Sequence, residues 1–307
     1  MEIFSSTNGL PTSAQGAVAA LGNFDGLHKG HQAVLKAAKA LAQAEKRPFG
    51  VMTFEPHPRA LFFPDHPPFR ITPAPIKREL LKEMGVDVLF EIPFTRDFAK
   101  VTAQEFMQRM LLDEMKLQHA VAGHDFVFGF RRAGTMETLK TFMGQHERSV
   151  TEIAPQRDGS AVLWSSTRVR EHLQAGELKE AAEILGRPFE IEGPVIHGDG
   201  AGRRLGYPTA NLDLGDTIRP RYGVYAVRAK TGGKTLKGVA NLGTRPTVQG
   251  RDERFEVHLF DWSGDLYGAS LRVELSAFIR PEKAFEGVDA LKAQIAQDCL
   301  AAQAALA

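Results

Sequence analysis

Two histidines three residues apart stand where a short apolar run gives way to a helical pattern, in Leu21-Gly22-Asn23-Phe24-Asp25-Gly26-Leu27-His28-Lys29-Gly30-His31. The stretch leaves an expected strand, turns on glycines and enters an amphipathic helix whose apolar face is Val34, Leu35, Ala38, Leu41 and Ala42. His28 and His31 therefore stand at the positive end of a helix, where free backbone N–H groups and the dipole favour a phosphate, and Gly30 lets a polyphosphate come close. The same pair could instead ligate a metal, although no Cys lies nearby and no third ligand stands at a usual spacing; one of them could also be structural, since His31 falls near the apolar stripe. Further on, Ser165-Ser166-Thr167-Arg168-Val169-Arg170 supplies hydroxyls and cations before a second helix, where an ordinary helix cap would use the same residue types. A third stretch, Gly198-Asp199-Gly200-Ala201-Gly202-Arg203-Arg204-Leu205-Gly206-Tyr207-Pro208-Thr209-Ala210-Asn211, concentrates glycines, arginines and two oxygen-bearing side chains. It is not a Walker loop, having no Gly-Lys-Ser/Thr ending, and Arg203 occupies the place of the third glycine of a dinucleotide fingerprint.

Such residues work only if regular elements hold them. In the first half, Ala17 to Phe24, Phe49 to Phe54, Val86 to Ile92, His119 to Gly123 and Val150 to Ile153 read as buried strands with helices between them. Thr102 to Leu112 is the best marked of these helices, with Thr102 and Glu105 at capping-box spacing. Strand and helix alternating in this way predict a mostly parallel α/β sheet, with ligands at the carboxyl ends of the strands. The polar and glycine-rich segments Asn23 to His31, Glu55 to Arg59, Pro93 to Arg96 and Gly123 to Gly129 would then share one rim, though loops in general have that composition. A helical stretch ending at Gly186-Arg187-Pro188 marks the expected domain boundary, giving 1–186 and 187–307. Beyond it lie short β runs and turns: Val224 to Ala229, Gly232-Gly233, Thr235 to Val239, Arg254 to Phe260 and Leu271 to Phe278. They predict a small antiparallel barrel, with Gly287 to Leu306 as a helix packed against it.

Composition narrows the partners. The 307 residues, 43% hydrophobic, suffice for two cores. With 38 basic against 37 acidic residues there is no global field for nucleic acid or an anionic membrane, so phosphate binding must be local. The single cysteine, Cys299, fits a reducing compartment. No basic residue precedes Lys29 and no run approaches membrane-spanning length, so a cytoplasmic protein, monomeric or weakly homo-oligomeric, is expected.

His-x-Gly-His in this setting resembles the signature of the nucleotidylyltransferase superfamily, and Ser165 to Arg170 resembles its second ATP-binding signature. The acceptor stays open on these two motifs; a pantetheine phosphate or a mononucleotide would suit them equally. Thr53-Phe54-Glu55-Pro56-His57-Pro58-Arg59 and Gly123-His124-Asp125-Phe126-Val127-Phe128-Gly129 resemble segments of FMN adenylyltransferase modules, while the glycine loop with Pro-Thr-Ala-Asn resembles the riboflavin kinase signature. With Gly223 to Ala226, Ala240 to Thr247, Phe255-Glu256-Val257-His258 and Leu266 to Gly268, the resemblance to the bacterial bifunctional riboflavin kinase and FAD synthetase family spans nearly the whole chain.

That resemblance implies a Rossmann-like nucleotidylyltransferase domain followed by a small antiparallel β-barrel kinase domain with a C-terminal helix. It implies ATP as co-substrate, riboflavin, FMN and FAD as substrates and products, and Mg²⁺. It makes His28, His31 and Glu256 catalytic, and gives ATP to Gly22, Asn23, Phe24, Asp25, Gly30, Ser165, Ser166, Thr167 and Arg168 in the first half. In the second half ATP falls to Gly198, Gly200, Gly202, Arg203, Gly206 and Pro208, and the metal to Thr209 and Asn211. The flavin would meet His57, Pro58, Asp125, Phe126 and Phe128, and in the barrel Arg280 and Phe285, although Phe126 and Phe128 also suit a core. Strand alternation by itself would make Glu256 a solvent-facing glutamate. Trp164 departs from the family, which has an aliphatic residue there. A flavin-binding protein that kept the fold without the chemistry, and a chain with only one active half, are the competing readings; the retained polar residues speak against the former.

Overall fold

Apolar runs that cannot tolerate water on either face become the middle of a parallel sheet. The computed structural model describes residues 1–247 and 250–307, and the chain divides into two compact units, Met1–His66 with Ala74–Ser165, and Pro67–Pro73 with Ser166–Ala307. The first unit contains β1 (Glu2–Phe4), β2 (Val18–Leu21), α1 (Lys29–Ala44), β3 (Phe49–Glu55), α2 (Pro58–Phe62), α3 (Ala74–Glu83) and β4 (Val88–Pro93). It continues with α4 (Ala103–Glu105), a π-helical stretch Phe106–Glu114, β5 (His119–Gly123), α5 (Met136–Gln145) and β6 (Ser149–Ile153). The six strands are all parallel, in the order β1-β4-β3-β2-β5-β6.

Alternate residues of one strand serve opposite layers. Ala17, Ala19, Leu21, Ala120 and Ala122 pack beneath Phe106, Met110, Leu139 and Met143. Val18, Ala20, Val51, Leu89 and Val121 meet Val34, Leu35, Ala38 and Leu81 on the other side. All five strands expected from the sequence in this half are present, and β1 is an addition at the sheet edge. The helix expected over Thr102 to Leu112 starts as predicted, with Thr102 accepting from the Glu105 N–H at 3.1 Å. It then widens into π turns that bury Phe106, Met107, Met110 and Leu111, while the Glu105 carboxylate pairs with Arg109 at 3.1 Å.

The second unit comprises α6 (Ser166–Ala175), α7 (Leu178–Leu185), β7 (Phe189–Ile196), α8 (Ala201–Leu205), β8 (Ala210–Leu212) and β9 (Gly223–Thr231). The hairpin strands β10 (Lys234–Thr247) and β11 (Gly250–Leu259), then β12 (Ser270–Pro281) and α9 (Val288–Ala305), complete it. The strands close into a barrel in the order β10-β11-β8-β7-β12-β9, every neighbouring pair antiparallel. Phe255, Val257, Tyr225, Val227 and Val273 are 0–1% exposed and fill its inside. An outer apolar patch of Val224, Ala226 and Val239 is covered by Ala302 and Leu306 at the end of α9.

Gly186 acts as the stop its sequence suggests, capping α7 in a left-handed conformation with its N–H on the Ala182 carbonyl at 2.8 Å. The compact units nevertheless separate at Ser165/Ser166, because α7 packs against β7 and β12 through its buried face of Leu178, Ala181, Ile184 and Leu185. Pro67–Pro73 also belongs to this unit: the Arg70 N–H reaches the Asp216 carbonyl at 3.1 Å, and the Ile218 N–H reaches the Arg70 carbonyl at 2.7 Å. Among the described residues, no helix is long and apolar enough to cross a membrane.

Leu35, fully buried between α1 and the sheet, sets the seat of the helix that begins beside His28. Leu35→Ala is expected to destabilise the first unit by about 2–5 kcal/mol, read as a lower denaturant midpoint in its unfolding curve.

Candidate functional site

Chain order in the first sheet runs outward from β2 to β3 and β4 on one side and through β5 and β6 on the other, so the winding reverses between β2 and β5. The crevice such a reversal leaves at the carboxyl ends of the strands is where ligands bind. The turn after β2 and the segment after β5 flank it. In the turn, Phe24 (φ 52) and Leu27 (φ 42) take left-handed backbone and Gly26 lies at φ 93. Both apolar side chains are 2% exposed in the core beneath α1, and that burial offsets the unfavourable backbone. Phe24, expected beside ATP, thus has only its backbone to offer.

His28, 6% exposed, is the N-cap of α1. Its Nδ1 accepts from the His31 backbone N–H at 3.4 Å, so a neutral ring carries its proton on Nε2. The two imidazoles stack with centroids 3.7 Å apart, and His31 meets the edge of Phe24 at 5.4 Å. Gly30 has a visible steric reason: a methyl group there would lie 3.0 Å from His28 Cε1 and 3.3 Å from the Trp164 carbonyl oxygen. The imidazole of His28 is thus one neighbour that Gly30 accommodates. Trp164 also underlies the helix start, with Lys29 Nζ 5.1 Å from its ring centroid. Asn23 Oδ1 and Trp164 Nε1 are buried with no hydrogen-bond partner among the described residues, the pattern of a site that a ligand completes. Gly22 lies against the Phe24 ring, and Asp25 is buried at 4% exposure.

Of the residues expected to meet a flavin in this unit, His57 caps α2 by accepting from the Arg59 N–H at 3.1 Å, with Pro58 at the first helical position. Asp125 is exposed, while Phe128 is buried in the core and Phe126 packs on it with ring centroids 5.5 Å apart. The aromatic surface not anticipated from sequence is a group at the ends of β3 and β4. Phe54, Phe62, Phe94 and Phe98 make edge or tilted contacts at 5.4–5.9 Å, and Phe62 is 58% exposed. Ser165 ends the first unit, and Ser166, Thr167 and Arg168 form the first turn of α6 in the second.

In the barrel, antiparallel register sets the site. Glu256 of β11 is directly opposite Asn211 of β8 and Asn241 of β10. Asn241 is opposite Val224, and Val224 is opposite Arg280. Directly opposed residues share a face, so this row runs across the outside of the barrel while Phe255 and Val257 point inward. The loop before β8 closes onto the row. A side chain at Gly198 would collide with the Asn211 amide, and one at Gly202 would collide with the Tyr207 carbonyl and lie 3.1 Å from Thr209 Oγ1. Gly200 and Gly206 bracket α8 in left-handed conformations, and Arg203 on that helix is exposed.

Two side chains that flank Glu256 on β11 hold this loop down, and sequence reasoning missed their role. Arg254 Nη1 is 2.9 Å from Asp199 Oδ2, and His258 Nδ1 donates to the Pro208 carbonyl at 2.8 Å. Their spacing of two residues on either side of Glu256 already put them on its face; their partners come from distant chain. Arg280 shares the row, but its guanidinium forms a two-pronged pair with Asp298 of α9 at 2.8 and 2.7 Å and lies 5.7 Å from the Phe285 ring. Beside these, Glu253 accepts hydrogen bonds from Tyr222 and from Arg219 Nε, the latter at 2.8 Å. Burial and the Glu253 carboxylate push the Tyr222 phenol up to about 12. Burial disfavours the Glu253 carboxylate, yet its hydrogen bonds outweigh that and hold its pKa below the ordinary 4.5. Among the described residues there is no cluster of three or more His, Cys, Asp or Glu that could hold a metal ion.

These arrangements define a class: a chain with two nucleotide-handling units, one a doubly wound sheet with a histidine-marked helix start, the other a barrel with a glycine loop over a polar row. A family model described as FAD synthetase matches residues 10–168, and one described as riboflavin kinase matches residues 185–306. A bifunctional riboflavin kinase/FMN adenylyltransferase of Escherichia coli K12 is 42% identical over 290 residues, 94% of this chain and 92% of that protein. One from Bacillus subtilis is 38% identical, covering 92% and 90%. A crystal structure described as a macrolide-efflux protein from Streptococcus pneumoniae superposes with a TM-score of 0.83 at 35% identity, covering 96% of each chain. The chain belongs to the bifunctional riboflavin kinase/FMN adenylyltransferase family.

Because the folded pKa of Glu253 is depressed, its contribution to stability is present above the unfolded value and is lost as pH falls through the folded one. Glu253→Gln should therefore destabilise the barrel unit at neutral pH, with the gap from wild type closing below about pH 4. Thermal unfolding of both proteins across pH measures this.

Proposed function

We propose that this chain phosphorylates riboflavin to FMN in its barrel unit and adenylylates FMN to FAD in its α/β unit, using ATP in both reactions and releasing pyrophosphate in the second. The observation that carries the reading is the register that sets Glu256 beside Asn211 under a loop that lies against the Asn211 amide at Gly198 and has no room for a side chain at Gly202.

Adenylyl transfer to FMN uses a phosphate oxygen that is already anionic, attacking the α-phosphorus of ATP as pyrophosphate leaves. No side chain need remove a proton, so orientation and neutralisation of developing charge are the whole task. The first turn of α1 with His28 and His31 supplies N–H donors and a dipole for the phosphates, and Ser165 adds a hydroxyl. His57 and Pro58, with Asp125 and Phe126, form the flavin side, and Phe128 supports Phe126 from the core. Phosphorylation of riboflavin differs, because the terminal ribityl hydroxyl must lose its proton as it attacks the γ-phosphorus. Glu256 accepts that proton while ADP leaves. Gly198, Gly200, Gly202, Arg203, Gly206 and Pro208 form the loop around the ATP phosphates, with Arg280 and Phe285 toward the flavin.

Magnesium fits the second unit by donor chemistry. Thr209 and Asn211 present a hydroxyl and an amide oxygen beneath the glycine loop, a hard-oxygen set too small to enclose an ion and suited to one that phosphates also hold. When bound, Mg²⁺ would neutralise phosphate charge there. The functional division falls at Gly186/Arg187, as 1–186 and 187–307, and the enzyme works in the cytoplasm as a monomer or weak homo-oligomer without nucleic-acid partners.

Incubation of the protein with riboflavin, ATP and magnesium, followed by chromatography over time, should yield FMN before FAD; absence of both products overturns the reading. Glu256→Gln should slow FMN formation by roughly 10² to 10⁴ fold while FAD still forms from supplied FMN. His31→Ala should stop FAD formation and let FMN accumulate.

A further inference from the structure

A buried ammonium that no step above uses lies beneath the first site. Lys77 of α3 is 2% exposed, and its Nζ is 3.2 Å from Thr53 Oγ1 and 3.3 Å from Glu55 Oε2. Lysine is almost never fully buried unless paired, as Lys77 is with Glu55, and exchanging a buried ion pair for apolar groups is often neutral or stabilising. Fold stability alone is thus a poor reason for this residue.

Its two partners give a better one. Thr53, fully buried on β3, donates its hydroxyl proton to the Asn23 carbonyl at 3.1 Å, inside the turn that leads to His28. Glu55 ends β3 immediately before Pro56 and His57, which caps α2. The neighbouring cation Arg78 is hydrogen-bonded to Glu91, its Nε lying 3.1 and 3.2 Å from the carboxylate oxygens, and also feels the Glu55 charge, so Lys77 is the cation hydrogen-bonded to Thr53. Lys77 therefore donates at once to a chain of bonds ending in the nucleotide-side turn and to the residue that opens the flavin-side segment.

We propose that Lys77 is a positioning residue for adenylyl transfer, fixing the Asn23–His28 turn and the Glu55–His57 segment relative to each other so that FMN and ATP meet in line. The inference rests on the function proposed above. Hydrogen bonds to a charged group are worth roughly 1.5–3 kcal/mol, so Lys77→Met should lower kcat/KM for FAD formation about 10- to 100-fold. FMN formation by the same chain should keep its wild-type rate.

The two links separate by substrate. Thr53→Val cuts only the bond to the turn and should raise KM for ATP without raising KM for FMN. Glu55→Gln weakens the flavin-side link and should raise KM for FMN more than KM for ATP. Steady-state kinetics of FAD formation by the full chain, alongside thermal unfolding, read all three variants; if Lys77→Met fails to fold, the other two decide. Wild-type kinetics in Lys77→Met, or threonine and glutamate variants that lower the melting temperature while leaving both KM values unchanged or shifting them equally, would overturn the inference. A wild-type protein that forms no FAD would instead remove the function on which it rests.

Discussion

A nucleoside triphosphate concentrates negative charge, and a chain with 38 basic and 37 acidic residues has no general field with which to attract it. Every favourable charge must come from groups aimed at one place. In the function proposed above, these are in the first unit the backbone N–H groups of a helix start, oriented by the sheet behind it. In the second the same proposal draws them from the glycine loop, where a side chain at Gly202 would meet the Tyr207 carbonyl oxygen. Donors fixed in advance cost little reorganisation when charge arrives, which is why modest local charge suffices.

The first unit secures its turn from below. Phe24 and Leu27 accept left-handed backbone because both side chains bury in the core shared with α1, so the conformation of the turn and the packing of the helix stabilise each other. His28 caps the same helix and stacks on His31, so these imidazoles are held by the contacts that hold the fold. Buried polar links between β3, α3 and the turn extend this support to the neighbouring strand.

The barrel follows another logic. Its interior is filled with apolar side chains, so its polar groups work on the outer face. There a row of cross-strand neighbours places a carboxylate, two amides and an arginine in line, and Arg254 and His258 fasten the glycine loop on either side of Glu256. The apolar patch of Val224, Ala226 and Val239 on that face is covered by α9, whose Asp298 holds Arg280.

Periodicity alone placed strands β2 to β6 of the sheet, the strand alternation around Glu256 and the terminal helix, because these depend on local spacing of apolar residues and on caps such as Thr102 and Gly186. The motifs marking both sites were legible for the same reason, being contiguous. The π turns after Glu105 lay beyond that reach, as did the grouping of α6, α7 and Pro67–Pro73 with the barrel and the true neighbours of Gly30. Tertiary structure also decided which aromatics sink into the core, as Phe128 does, and which stay at the rim, as Phe62 does. It joined Lys77 to Thr53, Arg254 to Asp199 and Arg280 to Asp298. Each of these pairs joins residues far apart in the chain through strand register or helix docking, and a linear pattern of residue types carries no record of which distant partner a folded backbone brings within hydrogen-bonding range.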